Sequence, residues 1–149
     1  MMLTGLILHG LSATLLLGAL AHQTIAACWP PPRRGTGWWI SLRAVHGERY
    51  TGAVIVLFCS TVALGSLLYP HYAAHVRPGD LDVRAPWAVI LFEIKEHAAA
   101  IGLLTLPAYW ASWSHPAGRS ARQWLTGFLL AIAAYNFLTG HVVNNLRGL

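Results

Sequence analysis

Four ionisable side chains fall within five residues in the segment Glu93-Ile94-Lys95-Glu96-His97. The run that contains it, Trp87 to Trp110, is otherwise apolar and long enough to cross a bilayer. At membrane depth each such group costs roughly 2.5–3.5 kcal/mol, so the segment needs partners, and histidines are the candidates. If the apolar segments of the chain alternate in direction, His9, His71, His75 and His141 fall at the same end as this cluster. With a rise of about 1.5 Å per residue, His9 and Glu93 sit roughly 9 Å deep, His141 within roughly 10 Å of that surface, and Glu96 and His97 roughly 15 Å deep. Spacing adds to depth: Glu93 and His97 are four apart and share a helix face, as do Glu93 and Glu96 at three apart. His71 and His75, and His141 and Asn145, repeat the four-residue interval. Gly10 follows His9 and Gly140 precedes His141, which leaves room for a flat macrocycle or a close backbone.

These residue types allow two metal chemistries. Two histidines from different helices can take the axial positions of a b-type haem, with His9, His97 and His141 as the ligand candidates. Alternatively Glu93, Glu96 and His97 with His71 and His75 can hold a copper, iron or zinc ion, since mixed imidazole and carboxylate shells suit those metals. A hydrogen-bonded network or proton relay would use the same groups. Lys95 points away from Glu93 and His97 on a helical wheel and is expected to pair with Glu96 or with another subunit. At the opposite end His22 follows His9 by 13 residues, with His46 and His115 as its possible partners for a second haem. That interval is about 3.6 turns, so His9 and His22 do not share a face.

The elements that must position these residues are apolar segments at about 3–27, 50–69, 86–110 and 123–144, each of roughly spanning length. Pro30-Pro31-Pro32 is expected to end the first and Pro70 the second, Pro86 suits a first helical turn, and Pro107 is expected to kink the third. Within the long first connection Trp38 to Arg43 has the composition of a short interfacial helix. The second connection, Pro70 to Ala85, reads as a polar loop with a turn at Arg77-Pro78-Gly79-Asp80. The expected fold is all-α: one integral membrane domain, a four-helix up-down bundle.

Composition agrees. The chain has 149 residues, 56% hydrophobic and 10% charged, against about 25% charged in ordinary soluble domains. The net charge of +5 comes from arginines scattered over connections, without the basic stripe that nucleic-acid binding requires. The first and third connections hold Arg33, Arg34, Arg43, Arg49, Arg119 and Arg122, against Arg77, Arg84 and Arg147 elsewhere. That asymmetry predicts a bacterial inner (cytoplasmic) membrane protein with both termini on the outer side. No Lys or Arg precedes the first apolar run, so it reads as a retained helix and not a cleaved signal. Cys28 and Cys59 form no C-x-x-C-H, which excludes covalent c-type haem attachment by motif.

The stretch Ser41-Leu42-Arg43-Ala44-Val45-His46-Gly47-Glu48-Arg49-Tyr50-Thr51-Gly52 resembles the Ser…His-Arg-x-Thr-Gly sequence of the four-helix, b-type cytochrome membrane anchors of succinate dehydrogenase. The resemblance covers about a dozen residues and implies a quinone near Ser41 and Arg49 at the cytoplasmic face. It departs from that pattern in two ways: two residues separate His46 from Arg49, and the stretch precedes the second helix where the family's precedes the first.

Together these features lead us to expect a b-type haem electron-transfer subunit of a larger respiratory or other redox complex, quinone-linked. A metal-binding membrane protein built on Glu93 and His97, and a non-catalytic accessory subunit, are the alternatives. The expected partners are the lipid bilayer and other membrane subunits, not nucleic acid.

Overall fold

The computed structural model describes residues 2–29, 37–43, 46–115 and 118–146. Among these the chain is helical throughout, with no strand. The elements are α1 (Met2–Cys28), α2 (Trp38–Arg43), a 3-10 turn at Gly47–Tyr50, α3 (Thr51–His71), a π-helical segment at Tyr72–Leu81, α4 (Asp82–Arg84), α5 (Pro86–Ser114) and α6 (Arg119–Leu146). The triple proline, Arg33, Arg34, Pro116 and Arg147 lie outside the described residues.

Leucine- and alanine-rich sequence without interior glycine pairs favours helix in α1, and Pro86 starts α5 at a position where its missing N–H costs nothing. Trp38–Arg43 is helical as its composition predicts, and Arg43 Nε donates to Trp29 O at 2.8 Å. The second connection departs from expectation. Pro70 does not end the second helix, and Arg77-Pro78-Gly79-Asp80 is not a free turn: α3 passes through Pro70 and continues in π winding to Leu81. A proline inside a helix removes one amide donor and crowds the preceding turn. The winding changes from α to π two residues after Pro70, where the N–H of Tyr72 bonds to the carbonyls of Leu68 and Tyr69. Pro107 also lies inside a helix, and α5 runs on to Ser114.

The long helices pack in a cycle: α1 against α3 and α6, and α5 against α6 and α3. Neighbours run antiparallel. Thus Gln23 near the end of α1 meets Gly47 and Thr51 at the start of α3, and Trp113 near the end of α5 meets Thr126 early in α6. One apolar core sits towards this end, built on Leu16, Leu20, Val54, Phe58, Leu106, Tyr109, Leu129 and Ile132. A smaller one at the other end joins Val76 and Leu81 of the π segment to Ala88 and Val89 of α5 and Val143 of α6.

Close approach of α3 and α5 depends on Gly102. A β-carbon at that position would collide with the ring of Phe58, which is itself buried. Gly102→Ala is therefore expected to destabilise the fold by about 1–3 kcal/mol, the usual cost of overpacking, read as a lowered midpoint of thermal unfolding in detergent micelles.

Much of the outer surface is apolar. Leu3, Leu67, Leu104 and Trp124 are each more than 70% exposed. Among the described residues three helical stretches are long and apolar enough to cross a membrane: Met2–Cys28, Gly47–Pro78 and Arg119–Leu146. The fourth long helix, α5, carries Glu93, Lys95 and Glu96 in its first half.

Candidate functional site

The inner faces of α1, α3, α5 and α6 leave a cavity of about 290 Å³ between the two apolar cores. Its walls are largely apolar, from Leu6, Leu16, Phe58, Val62 and Phe137, with a few polar groups converging on it: His9, Thr61, Lys95, Glu96, Asn136 and His141. Its volume lies at the lower end of the range for small-molecule sites, and apolar walls with few convergent polar groups are their usual make-up.

His9 enters from α1. Its Nδ1 lies 3.0 Å from the carbonyl oxygen of Thr61 on α3, which as an acceptor selects the tautomer protonated at Nδ1 and leaves Nε2 as the free nitrogen. The imidazole can lie against α3 because residue 65 is glycine: a β-carbon there would stand 3.2 Å from His9 Cε1. Ser12, one turn further along α1, shares a 2.8 Å hydrogen bond with Thr61 Oγ1, so the same α3 turn is tied twice. His141 stands at the exposed rim on α6, where Asn145 Nδ2 approaches its Nε2 at 3.0 Å. Asn136 Oδ1, buried on the same helix, has no hydrogen-bond partner among the described residues. An orphaned buried acceptor in a cavity wall is a place for a donor from a ligand or water.

Lys95 faces away from Glu93 and His97, as the helical wheel places it, and the direction it takes is inward. Its side chain is only 14% exposed and lines the cavity; its Nζ donates to Glu96 at 3.2 Å and lies 4.4 Å from the centre of the Phe92 ring. The pairing with Glu96 is as expected. Inward-facing Lys95 is explained by the face it shares: Phe92, Ala99 and Gly102 lie three or four residues apart along the same stripe.

His97 does not join His9 and His141 in this cavity. It is exposed, with Nδ1 2.7 Å from the carbonyl of Glu93 on its own helix. Glu93 and His97 line a neighbouring cavity, also about 290 Å³, with Tyr69, Tyr72, Arg77, Phe92 and Glu96. Arg77 of the π segment donates to Glu93 at 3.2 Å and to Asp82 at 3.4 Å. His71 and His75 stack on each other, rings 4.6 Å apart, and the nearest partner of His75 Nδ1 is the carbonyl of His71. Among the described residues no group of three His, Cys, Asp or Glu side chains comes close enough together to hold a metal ion, so Glu93, Glu96, His97, His71 and His75 do not form one shell.

At the opposite end Tyr50 meets His22, its hydroxyl 3.4 Å from Nδ1, while His46 and His115 are exposed. Ser41 donates to the carbonyl of Gly37 at 3.2 Å, and Ser41 and Arg49 are both exposed. Neither lines the cavities described above.

Thr61, Gly65, Lys95 and Asn136 belong to the site but escaped sequence reasoning as members of it. Lys95 was legible: counting back from Tyr109 and Leu106 in steps of three and four passes through Gly102, Ala99 and Lys95. Thr61 acts through its backbone carbonyl and leaves no trace in sequence.

No family model matches the chain, and no curated protein or solved structure matches it.

Proposed function

We propose that this protein is a membrane-embedded electron-transfer subunit that holds a b-type haem between α1 and α6, where His9 and His141 would bind its iron. In this reading its long helices form a four-helix up-down bundle in a bacterial inner membrane, termini outward, beside other subunits of a redox complex. The observation that carries it is the meeting of two histidines from different helices on one largely apolar cavity, one of them already oriented by a backbone carbonyl. Metal-ligating imidazoles almost always donate their second nitrogen in this way. The donor set fits the group, because a haem iron asks the protein for only one or two ligands and needs no cluster of three. For His141 to ligate through Nε2, Asn145 must turn away from it. When bound, the haem supplies a one-electron couple. The chain would supply orientation of His9 through Thr61 and Gly65, and largely apolar walls. The exposed apolar surface of the helices supports the bilayer as their surroundings.

The test is a visible spectrum, air-oxidised and dithionite-reduced, of protein purified in detergent after expression with haem supply. A sharp reduced alpha band of b type is the expected result. A featureless spectrum overturns the haem.

A second reading rests on the Lys95–Glu96 pair and the orphaned Asn136 acceptor. Ionisable groups facing a cavity at membrane depth are also the material of proton relays. A featureless spectrum combined with proton uptake by vesicles carrying the protein, lost in Glu96→Gln, would favour it.

A further inference from the structure

The neighbouring cavity is used by neither reading so far. We infer that it is a site for the head group of a lipid-soluble quinone, a neutral planar ring that carries hydrogen-bond-accepting oxygens. This deepens the electron-transfer reading and rests on it for its purpose, though not for its geometry.

Charge comes first. Both cations beside the cavity are already engaged by carboxylates: Arg77 with Glu93 at 3.2 Å and with Asp82 at 3.4 Å, and Lys95 with Glu96 at 3.2 Å. Neither is left to draw an anion, which favours a neutral ligand. Shape comes second. Tyr72 and Phe92 stack with ring centres 4.0 Å apart and planes 18° from parallel, and Tyr69 extends the set, 6.3 Å from Phe92 at 24°. Near-parallel rings lining a cavity suit a further planar ring, since offset stacking is the favoured aromatic contact. Hydrogen bonding comes third. The Tyr72 hydroxyl is buried and has no partner among the described residues, which is costly for a hydroxyl unless something completes it. A quinone oxygen is an acceptor of the kind it lacks. Position comes last. Ser66 and Glu96 line both cavities, so a head group here is separated by a single wall from whatever His9 and His141 hold. This site lies away from Ser41 and Arg49, to which the succinate dehydrogenase resemblance assigned a quinone.

The probe is decylubiquinone, titrated into the detergent-purified protein and followed by quenching of tryptophan fluorescence, with decylbenzene as a control for the tail. Saturable quenching by the quinone alone is expected. Tyr72→Phe, which keeps the ring and removes the hydroxyl, should weaken binding about three- to tenfold, the yield of one hydrogen bond. Phe92→Leu should weaken it as well, with the circular dichroism of both variants unchanged. Linear, non-saturating quenching, equal quenching by decylbenzene, or undiminished affinity in Tyr72→Phe overturns the inference. Saturable, Tyr72-dependent binding to a protein without an alpha band would uphold this site while removing the haem, so the two failures are distinguishable.

Discussion

His9→Ala and His141→Ala are each expected to abolish the reduced alpha band, and His97→Ala to leave it in place. The contrast between the three variants carries the prediction. Residue count alone places all three towards the same end of the helices, but only His9 and His141 line the central cavity, whereas His97 is exposed and bonded to its own helix at Glu93. If His9 and His141 hold the proposed haem, removing either would take away a ligand and enlarge the cavity, so the band would be lost. His9→Ala also frees the Thr61 carbonyl, and the absence of a bulky ring beside Gly65 loosens the α1–α3 contact. Its effect on stability is therefore expected to exceed that of His141→Ala, whose side chain stands at the rim. If His97→Ala lost the band while His141→Ala kept it, the ligand assignment would fall.

Gln23→Leu is expected to cost about 2–5 kcal/mol of stability, because it strips partners from several buried groups at once and each such group costs about 1–3 kcal/mol. Gln23 is 1% exposed. Its Oε1 accepts from the hydroxyl of Tyr109, which is fully buried, and its Nε2 donates to Gly47 O at 3.0 Å and Thr51 Oγ1 at 3.4 Å. One amide thus joins α1, the turn before α3, and α5. Leucine fills similar space and satisfies none of them. Adding Tyr109→Phe to the Gln23→Leu variant should recover part of the loss, since removing both partners of a buried bond costs less than removing one. Thermal unfolding followed by far-UV circular dichroism in micelles reads both changes. Additive losses in the double variant would show that the two side chains do not act together.

The contrast between legible and illegible parts of the chain follows from what hydropathy measures. Long apolar segments announce helices, and those beginning near Leu3, Tyr50, Pro86 and Gln123 appear as α1, α3, α5 and α6 with ends displaced by a few residues. The largest displacement is at Pro70. Proline reads as a stop because it removes a donor, yet the helix runs through it and continues in wider winding from Tyr72. For the site, residue count gives depth but not the side of the helix. Glu93, Lys95, Glu96 and His97 lie within about one helical turn and point in different directions around it, so only packing decides which faces inward. The stripe Phe92, Lys95, Ala99, Gly102, Leu106, Tyr109 decides for Lys95, and half of it was readable from buried Gly102, Leu106 and Tyr109. His9 and His141 line one cavity because antiparallel α1 and α6 bring an early part of one beside a late part of the other.

The two apolar cores stand at opposite ends of the helices with the cavity between them, like the bolted ends of a frame around an open panel. Each end has its own fastening: the Gln23 amide and Gly102 contact at one, the Arg77–Glu93 bridge and the Val76–Val143 cluster at the other. Because neither of these fastenings passes through the cavity, the fold is expected to hold whether or not the middle is filled, with the same helical circular dichroism in both states.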